Sequence, residues 1–280
     1  MLELGKYSDL TVVRKTQNGI YLSDTSGNEV LLPYKFTQHE MSVGSNIRVF
    51  IYKDSEDRIV ATTQIPKLQL HEFGLLKVET VNEVGAFLDW GLDKNLLVPF
   101  REQAMKMEEG RSYLIFVYLD EQTQRLAATA KLNRCLDNSE LTVNVDDEVD
   151  LIIWKRSELG VKVIVNQRHE GLIFNNEFFA TFKTGESLKG YVKAISEDNK
   201  IDIRIQNYGF SNIEPNAQKI LERLNTEGGF LPLTDKSEPE DISARLEMSK
   251  KTFKKAIGTL YKQKQIRIEE DGIYLNESQN

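Results

Sequence analysis

Three glycine pairs constrain this 280-residue chain more than any other feature. Gly19 and Gly44, Gly85 and Gly110, and Gly160 and Gly185 each stand 25 residues apart. The first pair maps onto the second by a shift of 66 residues, and the second onto the third by 75. Other residues obey the same shifts. Pro33 falls on Pro99, and the run Phe50-Ile-Tyr-Lys-Asp54 on Phe116-Val-Tyr-Leu-Asp120. Ala61 and Thr63 fall on Ala127 and Thr129. In the third block Val98 falls on Ile173, Phe116 on Tyr191 and Leu126 on Ile201. A register held across three blocks marks three copies of one unit.

Each unit is written in short strands. In the first copy, Leu10-Thr-Val-Val13, Gly19-Ile-Tyr-Leu22, Val30-Leu-Leu32, Ile47-Arg-Val-Phe-Ile51 and Arg58-Ile-Val-Ala-Thr62 read as strand-forming runs. Turn-forming clusters such as Ser26-Gly-Asn28 and Lys53-Asp-Ser-Glu-Asp57 separate them. Five short strands in a unit of this size fit a small closed antiparallel sheet, the Greek-key barrel known as the OB-fold. The second glycine of each pair precedes a strand, where a barrel corner needs backbone freedom.

The pattern changes near residue 213. Apolar residues at 217, 220, 221 and 224 form a helical stripe. A punctuated stretch ending in Pro239 precedes a second short helix, Glu240–Glu247. Ser249 is placed to cap a third helix over Lys250–Lys264, with Phe253, Ile257, Leu260 and Lys264 along one side. Residues 265–275 then read as a hairpin around Asp271-Gly272. Helix, helix, turn, helix, hairpin is the order of a winged helix-turn-helix. The fold class is therefore mostly β with a C-terminal α+β module. The expected domains are barrels over 1–66, 67–138 and 139–212 and a winged helix over 213–280.

Charge narrows the function. The net charge is −7, which excludes a basic carpet that neutralises phosphates over the whole surface. Only residues 250–267 stand out, with seven basic side chains and no acidic one. The single cysteine, Cys135, can neither close an internal disulfide nor build a Cys-rich zinc site, and it suits a reducing compartment. No run approaches the length of a membrane span and the N-terminus lacks a signal pattern. A soluble, cytoplasmic protein is expected.

The second copy reads Val84-Gly-Ala-Phe-Leu-Asp-Trp-Gly-Leu-Asp-Lys-Asn-Leu-Leu-Val-Pro-Phe-Arg-Glu-Gln103. This resembles the RNA-binding S-one domain of ribosomal proteins. Its pattern is a glycine, a small residue and Phe, then a short loop and Gly-Leu-Val-His-x-Ser-Glu. Glu170-Gly-Leu-Ile-Phe-Asn-Asn-Glu177 of the third copy is similar to the second of these elements. Three such domains followed by a winged helix resemble the conserved virulence factor B family of bacterial RNA-binding regulators. The resemblance spans essentially the whole chain and implies RNA binding rather than catalysis.

Strand alternation locates the candidate contacts. With Ile20 and Leu22 in a barrel core, Tyr21 points outward, and the same step turns out Phe87 and Lys162. An outward ring is a platform on which an unpaired base stacks. In the resembled family this position is the aromatic that meets RNA; the alternative is a ring packed against a neighbouring domain. Lys162 would meet phosphate. At the family's next contact, a histidine, this chain departs. Copies one and two have Pro33 and Pro99, each followed by an aromatic, Tyr34 and Phe100, and only copy three has a ring, Phe174. Phe174 is either a stacking ring or core. Trp90 either extends the Phe87 platform or caps its barrel. Trp154, followed by Lys155 and Arg156, suits single-stranded RNA or sits in a barrel core beside solvated charges.

On the third C-terminal helix, Lys251, Lys255 and Lys262 stand opposite the apolar stripe, with Lys250 and Lys254 flanking them. Lysines without Arg, Asn or Gln among them favour phosphate contact over base reading. For catalysis the inventory is poor. His39, His71 and His169 occupy unmatched positions without metal-ligand spacing, and no phosphate-binding loop or nucleophile elbow occurs. The expectation is a non-enzymatic, modular single-stranded RNA-binding regulator that needs no cofactor and no metal. A double-stranded DNA-binding regulator and a protein-interaction scaffold are the alternatives.

Overall fold

The computed structural model describes residues 2–37, 41–175, 177, 181–205, 215–262 and 265–276. His39 and Lys264 lie outside these. The chain forms two compact units, Met1–Leu172 with Phe182–Ile203, and Ile173–Thr181 with Arg204–Asn280.

The repeat becomes three copies of one five-stranded sheet. The first contains β1 (Tyr7–Thr16), β2 (Gly19–Ser23), β3 (Glu29–Pro33), β4 (Asn46–Lys53) and β5 (Ile59–Thr62). The second contains β6 (Phe73–Val81), β7 (Gly85–Asp89), β8 (Leu96–Pro99), β9 (Ser112–Asp120) and β10 (Arg125–Thr129). The third contains β11 (Glu148–Arg156), β12 (Gly160–Val165), β13 (His169–Phe174), β14 (Ser187–Ile195) and β15 (Ile201–Arg204). Copies one and three are closed barrels, ordered β1-β2-β3-β5-β4 and β11-β12-β13-β15-β14. The middle copy keeps the order, with β8 and β10 side by side but no ladder joining them. That difference is small, because closure in the first copy rests on one parallel pair, Leu31 with Val60. The closing contact is thus parallel, where the strand pattern suggested a wholly antiparallel sheet.

The glycine pairs have a common structural cause. The first strand of each copy is bulged, between Val12 and Arg14, Val78 and Thr80, and Ile153 and Lys155. There the second glycine of each pair donates its N–H to the strand: Gly44 to Val12 O at 2.8 Å, Gly110 to Val78 O at 2.9 Å, Gly185 to Ile153 O at 2.7 Å. All three have φ between 79° and 92°, a conformation that costs a side-chain-bearing residue energy. Two of the first glycines answer to contact. Gly19 and Gly85 lie opposite Pro33 and Pro99, where a Cβ would fall 2.3 Å from a carbonyl oxygen of the facing strand.

Neighbouring copies share apolar cores. Phe50, Tyr52 and Val60 of the first copy cluster with Val78, Leu88, Trp90 and Val98 of the second. Phe73 and Leu114 of the second cluster with Ile152 and Ile164 of the third. The segment entering the third copy is fastened by His169, which is fully buried. Its Nδ1 lies 2.5 Å from the Asp137 carbonyl and must donate to it, while Nε2 accepts the Thr142 N–H at 3.1 Å. These bonds set the tautomer, with a proton on Nδ1.

The second unit contains α1 (Pro215–Thr226), β16 (Phe230–Leu231), α2 (Pro239–Leu246), α3 (Lys250–Lys262), β17 (Ile266–Ile268) and β18 (Ile273–Leu275). Its three strands are ordered β16-β18-β17. Leu221, Leu224, Leu246, Phe253, Ile257 and Leu260 meet in one core. Ser249 caps α3, its Oγ accepting the Thr252 N–H at 3.1 Å. The two-residue β16 is too short to leave a pattern. The hairpin turn is centred on Glu270-Asp271, with the Glu269 N–H donating to Gly272 O at 2.9 Å, rather than on Asp271-Gly272. Gly272 has a different cause: a Cβ there would lie 2.3 Å from the Leu231 carbonyl oxygen of β16. No described helix is long and apolar enough to cross a membrane.

Candidate nucleic-acid interface

Strand β7 alternates as expected. Ala86 and Leu88 are fully buried and Phe87 between them is half-buried on the outer face. Phe87 faces a cleft of about 650 Å³ between the first two copies. Leu97, its cross-strand partner, and Pro99 supply further apolar surface. Lys53 of the first copy and Lys94, Arg101 and Arg125 of the second contribute cations, and Asp120 contributes a single carboxylate. A ring flanked by positive charge can stack a base while the neighbouring phosphates are neutralised.

Two of the cations, Arg125 and Lys94, are held by bonds across the junction, and Arg101 by its own copy. Arg125 forms an ion pair with Asp57 of the first copy. Arg101 reaches the Asp120 carboxylate at 3.3 Å. Lys94 donates to the Asp54 carbonyl at 2.6 Å. Partial burial lowers the Lys94 ammonium's pKa, opposed by the Asp57 carboxylate nearby. The hydrogen bond from Arg125 holds the Asp57 carboxyl below its ordinary range. Sequence reading missed these cations because Asp57 and Arg125 are 68 residues apart.

Trp90 is only 3% exposed and sits in the shared core, its ring edge against Phe50 at a centroid distance of 5.8 Å. Its Nε1 donates to the Lys94 carbonyl at 2.6 Å. The ring thus packs in the core between the first two copies, and it also lines the cleft that Phe87 faces.

Tyr21 is half-buried and outward, but the Arg14 guanidinium lies 3.6 Å above its ring and is itself paired with Glu29 at 2.7 Å. One face of Tyr21 is therefore covered. Lys162, expected to meet phosphate, is paired with Glu170 at 2.5 Å. The carboxylate reaches it from β13. Trp154 is half-buried against the core shared by copies two and three, with the Lys155 and Lys162 ammonium groups 4.1 and 5.9 Å from its ring centre. Arg156 is exposed at the end of β11. Phe174 ends β13, half-buried. Tyr34 and Phe100, 47% and 46% exposed, stand on three-ten turns after Pro33 and Pro99 and are more accessible than the position the resemblance emphasised.

On α3 the lysines divide as the helical wheel requires. Lys251, Lys254, Lys255 and Lys262 are exposed, opposite buried Phe253, Ala256, Ile257 and Leu260. Lys250 is half-buried and donates to the Lys236 carbonyl at 3.4 Å. Lys254 lies 3.8 Å from the Asp235 carboxylate. Among the described residues no cluster of three or more His, Cys, Asp or Glu side chains could hold a metal ion.

Barrels of this topology followed by a winged helix define a class, that of multidomain nucleic-acid-binding proteins. Family comparison agrees with the fold: residues 4–64 and 74–131 match the S1 domain, the S-one domain of the sequence reading, and residues 218–275 match the CvfB-like winged helix domain. The chain belongs to the CvfB family. It is 27% identical over 269 residues to the uncharacterized protein YitL of Bacillus subtilis, covering 92% of this chain and 89% of that one. It is 26% identical over 244 residues to conserved virulence factor B of Staphylococcus aureus, covering 84% and 81%. Among solved structures it is similar to a multidomain protein with nucleic acid binding domains from Streptococcus pneumoniae, at 25% identity and a TM-score of 0.44 over 98% of both chains.

Proposed function

We propose that this chain is a non-enzymatic, modular single-stranded RNA-binding protein that acts as a bacterial regulator of gene expression after transcription. The observation that carries the reading is the Phe87 cleft, where an outward ring is flanked by Lys53, Lys94, Arg101 and Arg125. Stacking on a ring is tolerant of sequence, and unpaired RNA bases are free to take part in it. The exposed lysines of α3 add phosphate contacts, and tethering the modules raises avidity on an RNA long enough to reach several of them. The net charge of −7 supports a binding mode in which stacking, more than charge, supplies affinity.

The test is fluorescence anisotropy of the full chain with labelled oligouridylate over a range of salt concentrations. Binding with a shallow salt dependence, equivalent to a few phosphates, is the expected result. A slope equivalent to about ten ion pairs would contradict it. Displacement of the label by duplex DNA more readily than by unlabelled RNA would replace it with a duplex-DNA reading.

A further inference from the structure

The junction of the second and third copies holds another cleft, of about 1010 Å³, to which no repeat pattern points. Trp154 and Lys155 of β11 line it. Lys106 and Arg111 reach it from the connection between β8 and β9, and Lys131 and Arg134 from the connection into the third copy. Arg111 is paired with Glu108 at 3.0 Å and Arg134 with Glu102 at 3.2 Å. Lys106, Lys131 and Lys155 have no carboxylate partner among the described residues. In an acidic chain, three ammonium groups without counter-charge around one cleft form a local concentration of positive potential. Leu75 and Met105, on the same lining, are 43% and 67% exposed.

The cleft is built rigidly. Gly185 packs so closely on Leu75 that a Cβ would lie 2.8 Å from that side chain, which sets the two copies at a fixed separation beside Thr184 on the cleft lining. Trp154 packs against the shared core, and the Lys155 ammonium rests 4.1 Å from its ring centre, at the end of a flexible side chain that an incoming base would displace toward a phosphate. The cations come from two copies and the segment between them, which suits an extended polyanion better than a single small anion. A planar ring beside those cations favours a polymer that alternates flat apolar groups with anionic ones; an acidic peptide satisfies only the cations.

We propose that this cleft is a second site for single-stranded RNA, in which a base stacks on Trp154 and adjoining phosphates meet Lys106, Lys131 and Lys155. The proposal rests on the single-stranded RNA reading above and extends it to a surface that the outward positions of the repeat do not include.

Intrinsic fluorescence tests it through Trp154→Phe: Trp90 lines the Phe87 cleft, so only the part of the quenching that this substitution removes reports on the second site. Oligouridylate is titrated into the full chain, the Trp154→Phe variant and a Lys131→Glu/Lys155→Glu variant, with anisotropy recorded in parallel. Expected are quenching that is clearly larger in the wild type than in Trp154→Phe, and affinity weakened about tenfold or more by the double reversal. The reversed lysines are exposed, so folding is unaffected, which circular dichroism checks. RNA that quenches Trp154→Phe as much as the wild type, and binds both variants as tightly as the wild type, overturns this site and leaves the Phe87 cleft standing. Absence of any RNA binding overturns both. Equal quenching by oligothymidylate assigns the cleft to single strands in general and overturns its restriction to RNA.

Discussion

Asp57, in the turn after β4, and Arg125, at the start of β10, form an ion pair that joins the first copy to the second across the mouth of the Phe87 cleft. Lys35 with Asp93, at 2.6 Å, is a second ion pair between the same two copies. Hydrogen bonds from Arg125 and Lys35 hold both carboxyls below the ordinary value of 3.8. A carboxyl depressed in the folded state stabilises it fully above the unfolded value and ceases to do so as the pH falls through the folded one. The contribution of these bonds is therefore present at neutral pH and lost on acidification below about pH 4. The pairs are solvent-exposed, so each has a small effect. Urea midpoints measured between neutrality and pH 3 are expected to decline less in the Asp57→Asn variant than in the wild type. Parallel declines would show that the pair does not contribute.

Tyr52 gives the opposite sign at alkaline pH. Burial in the shared core raises its phenol to about 12, and the Asp93 and Asp54 carboxylates add to the shift. Its neutral form is favoured by folding, so the associated stability is present below pH 10 and lost as the pH rises toward about 12. Ultraviolet titration is expected to show a late-ionising tyrosine that is absent in Tyr52→Phe. A Tyr52→Phe variant that unfolds at the same alkaline pH as the wild type would contradict this assignment.

Phe87 and Trp90 are three residues apart and should fail in different ways. Trp90→Ala empties a buried site and removes the bond to the Lys94 carbonyl, at a cost of about 3–5 kcal/mol in unfolding. Phe87→Ala removes a half-buried ring and is expected to cost about 1–3 kcal/mol of RNA binding with much less loss of stability. Denaturant unfolding and anisotropy on the same preparations separate the two. Equal losses of stability would make Phe87 a packing residue.

His169 is expected to be structural. Replacing it with Phe leaves the Asp137 carbonyl and the Thr142 N–H without their partner, a loss of about 1–3 kcal/mol for each group that remains shielded from water. Hydrogen exchange at Thr142 should accelerate, and β11 to β15 should unfold at lower urea. Unchanged protection at Thr142 would show that the segment is held by other bonds, such as those from Asn138 to the Glu170 and Asn199 carbonyls.

Much of this molecule can be read from the chain because much of it is local. The 25-residue glycine spacing persists since each bulge needs a left-handed residue to return its hydrogen bond, as Gly44 does to Val12. Alternation placed Tyr21, Phe87 and Lys162 on outer faces because neighbouring side chains in a strand must diverge. The lysines of α3 were separable from its core by helical geometry alone. What such patterns cannot carry is the identity of the neighbour. Phe50 of another copy packs on Trp90, Arg14 lies over Tyr21 and Glu170 pairs with Lys162. The lining of both clefts likewise combines residues from separate copies. Strand and helix periods act over a few residues, whereas solvent exposure and charge balance depend on whatever distant segment folding brings alongside. The chain itself therefore determined the repeated sheets and their outward positions, and tertiary packing decided which outward groups remain available to a ligand.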